Sequence, residues 1–224
     1  SRYRHIAYTD LFNISSDYTG STAIYSLVDS TLASAINNVN ANTLPIVAFD
    51  TGHQEQLDTT AMGKILSGSN FETKSFSLLT DAIPDNTQLI VLATPSNDLT
   101  TDEVEKLESY LKDSSRAVDR GLAVTFYPNQ SAMPNLTALL KEWGIEPQRN
   151  YVAESNSQKD LSQDPTYLLA QAQSSVTLNS SHSYNLLIAP ASVPFNLLFS
   201  EQNGIKTYSL MKTSSTCYAL SMDQ

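Results

Sequence analysis

The residue types best suited to chemistry follow two apolar runs. Thr51-Gly52-His53-Gln54-Glu55 comes after Leu44 to Phe49, and Thr94-Pro95-Ser96-Asn97-Asp98 comes after Leu89-Ile90-Val91-Leu92-Ala93. A histidine with a glutamate two residues on has the groups for proton transfer or ligand binding, because imidazole changes charge near neutral pH. The favoured expectation is plainer: a loop histidine hydrogen-bonded to its surroundings, with Gly52 making a tight turn. Ser96 stands where an α/β hydrolase carries its nucleophile. That strained elbow needs small residues around the serine, and Pro95 and Asn97 do not fit it.

Other chemistries find less support. His5, His53 and His182 are scattered, and Asp98 and Asp102 flank a helix start, where the helix dipole stabilises acids anyway, so no metal is expected. The seven glycines form no phosphate-cradling loop, and no cofactor is expected. Cys217 is the single cysteine, which excludes an internal disulfide; its setting, Ser215-Thr216-Cys217-Tyr218-Ala219-Leu220, reads as a small core residue. Asn13, Asn129, Asn135 and Asn179 begin glycosylation-type triplets that a chain rich in Asn, Ser and Thr produces by chance.

Buried strands and amphipathic helices must position these groups. Leu89 to Ala93 is short, apolar and β-branched, as a strand covered on both faces should be. Thr100-x-x-Glu103 is a capping box that starts a helix. Val104, Leu107 and Leu111 mark its inner face, and Glu103, Glu105, Glu108 and Lys112 are expected to face water. Leu44 to Phe49, Phe71 to Leu78 and Leu122 to Tyr127 read as further strands. Ala61 to Leu66 and Leu136 to Trp143 read as helices stopped by Gly68 and Gly144. The order βαββαβα over residues 44–144 predicts a mostly parallel α/β sheet, with ligands expected at the carboxyl ends of its strands, the rim that His53, Ser96 and Asn129 would form.

Before this core, residues 3–28 suggest a hairpin around Ser15 to Gly20, followed by a helix carrying Val28, Leu32, Ile36 and Val39. After it come a short strand at Tyr151 to Ala153, a mobile stretch over 155–165, a helix at Tyr167 to Gln173, and strands at Leu186 to Ala189, Leu197 to Phe199, Thr207 to Met211 and Tyr218 to Leu220. Composition adds bounds. With 224 residues the chain suits one domain, or one with a small annex. A net charge of −10 and a pI near 4.6 disfavour nucleic acid and anionic membrane surfaces. No stretch is long and apolar enough to span a bilayer, and the chain reads as a soluble piece of a larger protein.

Four segments resemble one known family. They are Leu44 to Glu55 (similar to "LPxVxxxTGHxE"), Leu89 to Leu111 (a hydrophobic strand, then "P…DLTxxE" and "LxxYL"), Pro134 to Ile145 (similar to "LPNLNxLLxxYGI") and Leu210 to Ser214 (similar to "LLxTS"). This pattern resembles the extracytoplasmic domains of GldG-like proteins, auxiliary membrane components of ABC-2-type transport systems first associated with gliding motility. Gln54 stands where the family usually has glycine, Ser115-Arg116 where it often has Gly-Gly, and Met133 where it often has leucine.

The resemblance implies a three-layer fold, flavodoxin-like or class I glutamine-amidotransferase-like. Its core would lie at about 28–150, with 151–224 completing or extending the sheet, as one extracytoplasmic domain over 1–224. It also implies membrane helices outside this chain, a place on the outer face of the cytoplasmic membrane, and ABC permease and ATPase subunits as partners. It transfers no catalytic residue. Thr51, Gly52, His53 and Glu55 carry over as a signature loop of unknown role, and with Thr94, Ser96, Asn97 and Asn129 they are the expected partner or ligand contacts. A non-catalytic interaction domain is the leading expectation. A sugar- or peptide-binding sensor and a fold-related hydrolase or amidotransferase using Cys217 remain its rivals.

Overall fold

Alternating aromatic and polar residues near the N-terminus form an antiparallel hairpin, β1 (Phe12–Ser16) and β2 (Thr22–Ser26), in the computed structural model, which describes residues 3–16, 20–115, 119–158, 160–161, 164–173 and 186–221. Residues 17–19 of the expected turn lie outside the described residues, as do Arg116, Asn179, His182 and positions 159, 162 and 163 of the expected mobile stretch. By its contacts the chain divides into two compact units interleaved in sequence: Ser1–Gly52, Leu57–Ala93 and Ser114–Ala123 form the first, and His53–Gln56, Thr94–Asp113 and Val124–Gln224 the second.

The first unit holds the hairpin, α1 (Val28–Asn40), β3 (Ile46–Asp50), α2 (Thr60–Gly68), β4 (Glu72–Phe76) and β5 (Thr87–Ala93). β3 pairs in parallel with both β4 and β5, and β6 (Gly121–Thr125) completes the order β4-β3-β5-β6. Every residue of β3 is buried, and the sheet's core cluster is Val47, Phe49, Val91 and Ala93, flanked by Leu66, Phe71, Leu89 and Ala123. This is the doubly covered, β-branched strand pattern the sequence predicts. α1 departs from expectation in its packing: it buries Ala35, while Leu32, Ile36 and Val39 of its apolar stripe are exposed.

The second unit begins with α3 (Thr101–Lys112) and α4 (Pro134–Glu142) and then turns to antiparallel β structure. β7 (Ile145–Pro147) pairs with β12 (Phe195–Leu197), and β8 (Asn150–Glu154) with β16 (Cys217–Ser221). β9 (Asp160–Leu161), β11 (Leu186–Pro190) and β15 (Met211–Lys212) all pair with β10 (Asp164–Ala172), and β13 (Glu201–Gln202) with β14 (Ile205–Lys206) forms a hairpin.

Two expectations are corrected here. Tyr167 to Gln173 is not helical: Leu168 and Ala170 point inward at period two, and pairing with β11 overrides the helix-forming leucines and alanines. The strand expected over Thr207 to Met211 reduces to Met211–Lys212, the part paired with β10. In the described part of 155–165, the Asn156 and Gln158 amides donate to the Glu154 and Asn156 side chains. The fold is thus mixed α/β, a four-stranded parallel sheet with several antiparallel sheets added. Among the described residues no helix is long and apolar enough to cross a membrane.

Candidate functional site

In the second unit, loops 53–56, 94–99 and 126–131 are sewn together by backbone and buried polar groups. The His53 carbonyl accepts the Ser96 amide at 2.8 Å and the Asn97 amide at 3.1 Å, and the Thr94 carbonyl accepts the Gln56 amide at 3.0 Å. Gln130, buried, donates from Nε2 to the Pro95 carbonyl at 2.6 Å and accepts the Tyr127 amide at 3.2 Å. Thr94 Oγ1 shares a hydrogen bond with Thr125 Oγ1 at 2.7 Å. Asp98, which the sequence places at the start of α3, instead accepts the Asn135 and Leu136 amides at 2.9 and 3.1 Å. It supplies α4 with the N-terminal acceptor that its own Met133 position lacks.

His53 points inward. Its imidazole is buried, with Nε2 3.1 Å from Glu103 Oε1 and Nδ1 3.9 Å from Glu55 Oε1, while the Glu55 carboxylate accepts the His53 amide at 3.0 Å. Glu103 is also buried, which corrects the expectation that it faces water. Its carboxylate has two jobs: Oε2 accepts the amide and hydroxyl of Thr100 at 2.7 Å each, closing the capping box, and Oε1 is left for His53. The inner face of α3 is therefore Glu103, Leu107 and Tyr110. Nε2 and Oε1 are in close contact, and protonation of the imidazole would make that contact an ion pair.

The remaining expected site residues distribute as follows. Thr51 and Gly52 belong to the first unit. The Thr51 amide and hydroxyl both donate to the Phe76 carbonyl, and a Cβ on Gly52 would lie 2.7 Å from Ser77 Oγ, so a side chain there would displace that hydroxyl. Asp50 in the same unit accepts the Leu78 amide at 2.8 Å. Asp50, His53 and Glu55 are the metal-ligating residue types along this stretch; Asp50 organises the Ser77–Leu78 turn, and His53 and Glu55 serve the interactions just described. The Ser96 hydroxyl makes no hydrogen bond to His53 among the described residues, so the two do not form a nucleophile–base pair. Asn97 and Asn129 are exposed. Sequence reasoning missed Glu103 and Gln130; the capping box hid the first, and nothing local marks the second.

Backbone conformation at the loops is unusual. Thr94, buried and β-branched, has φ 58°, and Gln54 has φ 54°. Left-handed backbone costs an L-residue about 1–2 kcal/mol, and at Thr94 the surrounding hydrogen bonds hold it. Gln54 thus holds a backbone conformation that glycine adopts without strain. Gln54→Gly is expected to be neutral or stabilising by up to about 1 kcal/mol, since relief of strain is partly offset by the entropy of the unfolded glycine. A shift of the urea midpoint checks it; a clear loss of stability would show that the glutamine side chain matters to the loop.

A second buried acid lies where β8 meets β16. Glu154 pairs in register with Cys217. Burial disfavours its charge, but hydrogen bonds from Ser214, Thr216, the Asn156 amide at 2.9 Å and Cys217 Sγ at 3.4 Å outweigh that and hold its carboxyl down at about 2. Cys217 is half-buried and faces a carboxylate. Activated thiolates keep cationic neighbours instead.

No family model matches the chain, and no curated protein matches it significantly. Among solved structures it is similar to "mmIFT52 N-terminal domain", at 19% identity with a TM-score of 0.59, over 78% of this chain and 75% of that one. At that identity the likeness extends to the fold and stops there.

Proposed function

We propose that this chain is a non-catalytic interaction domain, the extracytoplasmic part of an accessory membrane protein of an ABC transport system, with a flavodoxin-like or class I glutamine-amidotransferase-like core. The observation that carries the reading is the inward use of the reactive groups. His53, Glu103, Thr94 and Gln130 are buried and hold the loops to one another, while Gln54, Asn97 and Asn129 are exposed. Such loops offer a partner a fixed polar surface rather than a nucleophile and base. The resemblance of Leu44 to Glu55, Leu89 to Leu111 and Pro134 to Ile145 to GldG-like domains supplies the transport assignment, and loops on a rigid sheet are where binding residues commonly sit.

Co-purification from the native membrane, with cross-linking and mass spectrometry, tests this. The expected result is recovery of an ABC ATPase and permease cross-linked to residues of the 94–98 or 126–131 loops. Recovery of the protein alone would contradict it. The rival hydrolase reading has less support, because Cys217 faces Glu154 and, among the described residues, the Ser96 hydroxyl makes no hydrogen bond to His53.

A further inference from the structure

A cleft of about 670 Å³ opens on the second unit, away from the loops above. Its walls are the C-terminal ends of α3 and α4, carrying Lys112, Lys141, Glu142 and Trp143, and the β13–β14 hairpin with the segment before it, carrying Gln202 and Asn203, and Leu198 and Phe199. The hairpin is fixed to the end of α4. The Leu198 amide donates to the Gly144 carbonyl at 2.9 Å, and Thr207 bonds through its amide and hydroxyl to Ser200 and Phe199 carbonyls. Gly144 has φ +80°, and a Cβ there would stand 2.6 Å from Thr207 Cγ2 and 2.7 Å from Phe199 Cζ, so this wall approaches closely because position 144 has no side chain.

The volume falls within the range of small-molecule sites. The lining has a definite chemistry: an indole and a phenyl ring, two side-chain amides and a carboxylate. The lysines do not make the cleft cationic. Lys112 Nζ lies 2.6 Å from Glu108 and 4.0 Å from Glu142, and Lys141 Nζ lies 2.6 Å from Glu146. An acidic ligand would have to compete with these pairs. A neutral, polyhydroxylated ring would not: its C–H face suits an aromatic ring, and its hydroxyls suit amides, which donate and accept, and a carboxylate, which accepts.

We propose that this cleft binds a neutral oligosaccharide, with Trp143 as the stacking platform and Gln202, Asn203 and Glu142 as the hydroxyl partners. This goes beyond the interaction role above and does not depend on it.

Trp143 is the chain's single tryptophan, so its fluorescence reports on the cleft directly. The experiment titrates the whole chain with maltotriose, cellotriose and chitotriose, and with a pentaglutamate peptide as the acidic comparison. The expected result is a saturable change with at least one trisaccharide at a dissociation constant of about 1 mM or tighter. Gln202→Ala and Asn203→Gly together should weaken it roughly tenfold or more. Both positions are exposed, and glycine preserves the positive φ of 51° at Asn203, so the fold should tolerate the changes, with circular dichroism as the check. No saturable change with any trisaccharide, a change the hairpin variants leave untouched, or a response to pentaglutamate alone would each overturn the proposal.

Discussion

Replacing Glu103 with alanine is expected to destabilise the protein by about 3 kcal/mol or more, well beyond the loss of an ordinary helix cap. Removing a buried carboxylate leaves the polar groups it faced unsatisfied, at about 1–3 kcal/mol each. A cap alone is worth about 0.5–2. Here one carboxylate serves both purposes, holding the Thr100 amide and hydroxyl with Oε2 and His53 Nε2 with Oε1. Glu103→Gln should keep the cap and lose part of the His53 contact, giving an intermediate cost. The check is urea unfolding with an unchanged m-value, together with a double-mutant cycle against His53→Gln. The two changes should couple by at least about 1 kcal/mol, since the residues touch. A cost near 1 kcal/mol with no coupling would mean that Glu103 is merely a solvent-side cap.

The second large effect is a dependence on acid. The Glu154 carboxyl sits at about 2 in the folded chain against an ordinary 4.5. A carboxyl lowered on folding adds stability that is fully present above its unfolded value and is lost as pH falls through its folded value. The window is therefore about pH 4.5 down to 2, and the contribution is as much as roughly 3 kcal/mol. Wild type should lose stability across this window relative to Glu154→Gln, which carries no titrating group there. Urea unfolding at pH 7, 4, 3 and 2 measures it. A difference between the two proteins that does not change with pH would contradict the assignment.

Local signals explain how much was legible. β3 and β5 announce themselves as unbroken apolar runs, α3 by its capping box and α4 by Pro134 and Gly144, so the βαββαβα order follows from short stretches of sequence. β10 was not legible, because Tyr-Leu-Leu-Ala-Gln-Ala suits either period and its partner β11 decides. The β13–β14 hairpin is another omission from the sequence expectation, although Asn203-Gly204, with φ 51° and 80°, is a strong hairpin turn.

At the site, residue types alone gave the loops but not their use. His53 and Ser96 do come together, through backbone hydrogen bonds rather than side-chain chemistry. Whether His53 would face solvent or Glu103 depends on a residue fifty positions later in the chain. Glu154 drew no notice because its partners at Ser214, Thr216 and Cys217 come from sixty or more residues away. Such pairings have no periodicity to read.

On the proposed reading, the exposed loop residues contact a partner while the buried ones hold the loops. The most direct test compares partner recovery from cross-linked native membranes for the Asn97→Arg, Asn129→Arg double variant and for wild type, with thermal stability recorded for both. The expected result is unchanged stability and loss of the recovered partners. Full recovery of the same partners by the stable double variant would contradict it.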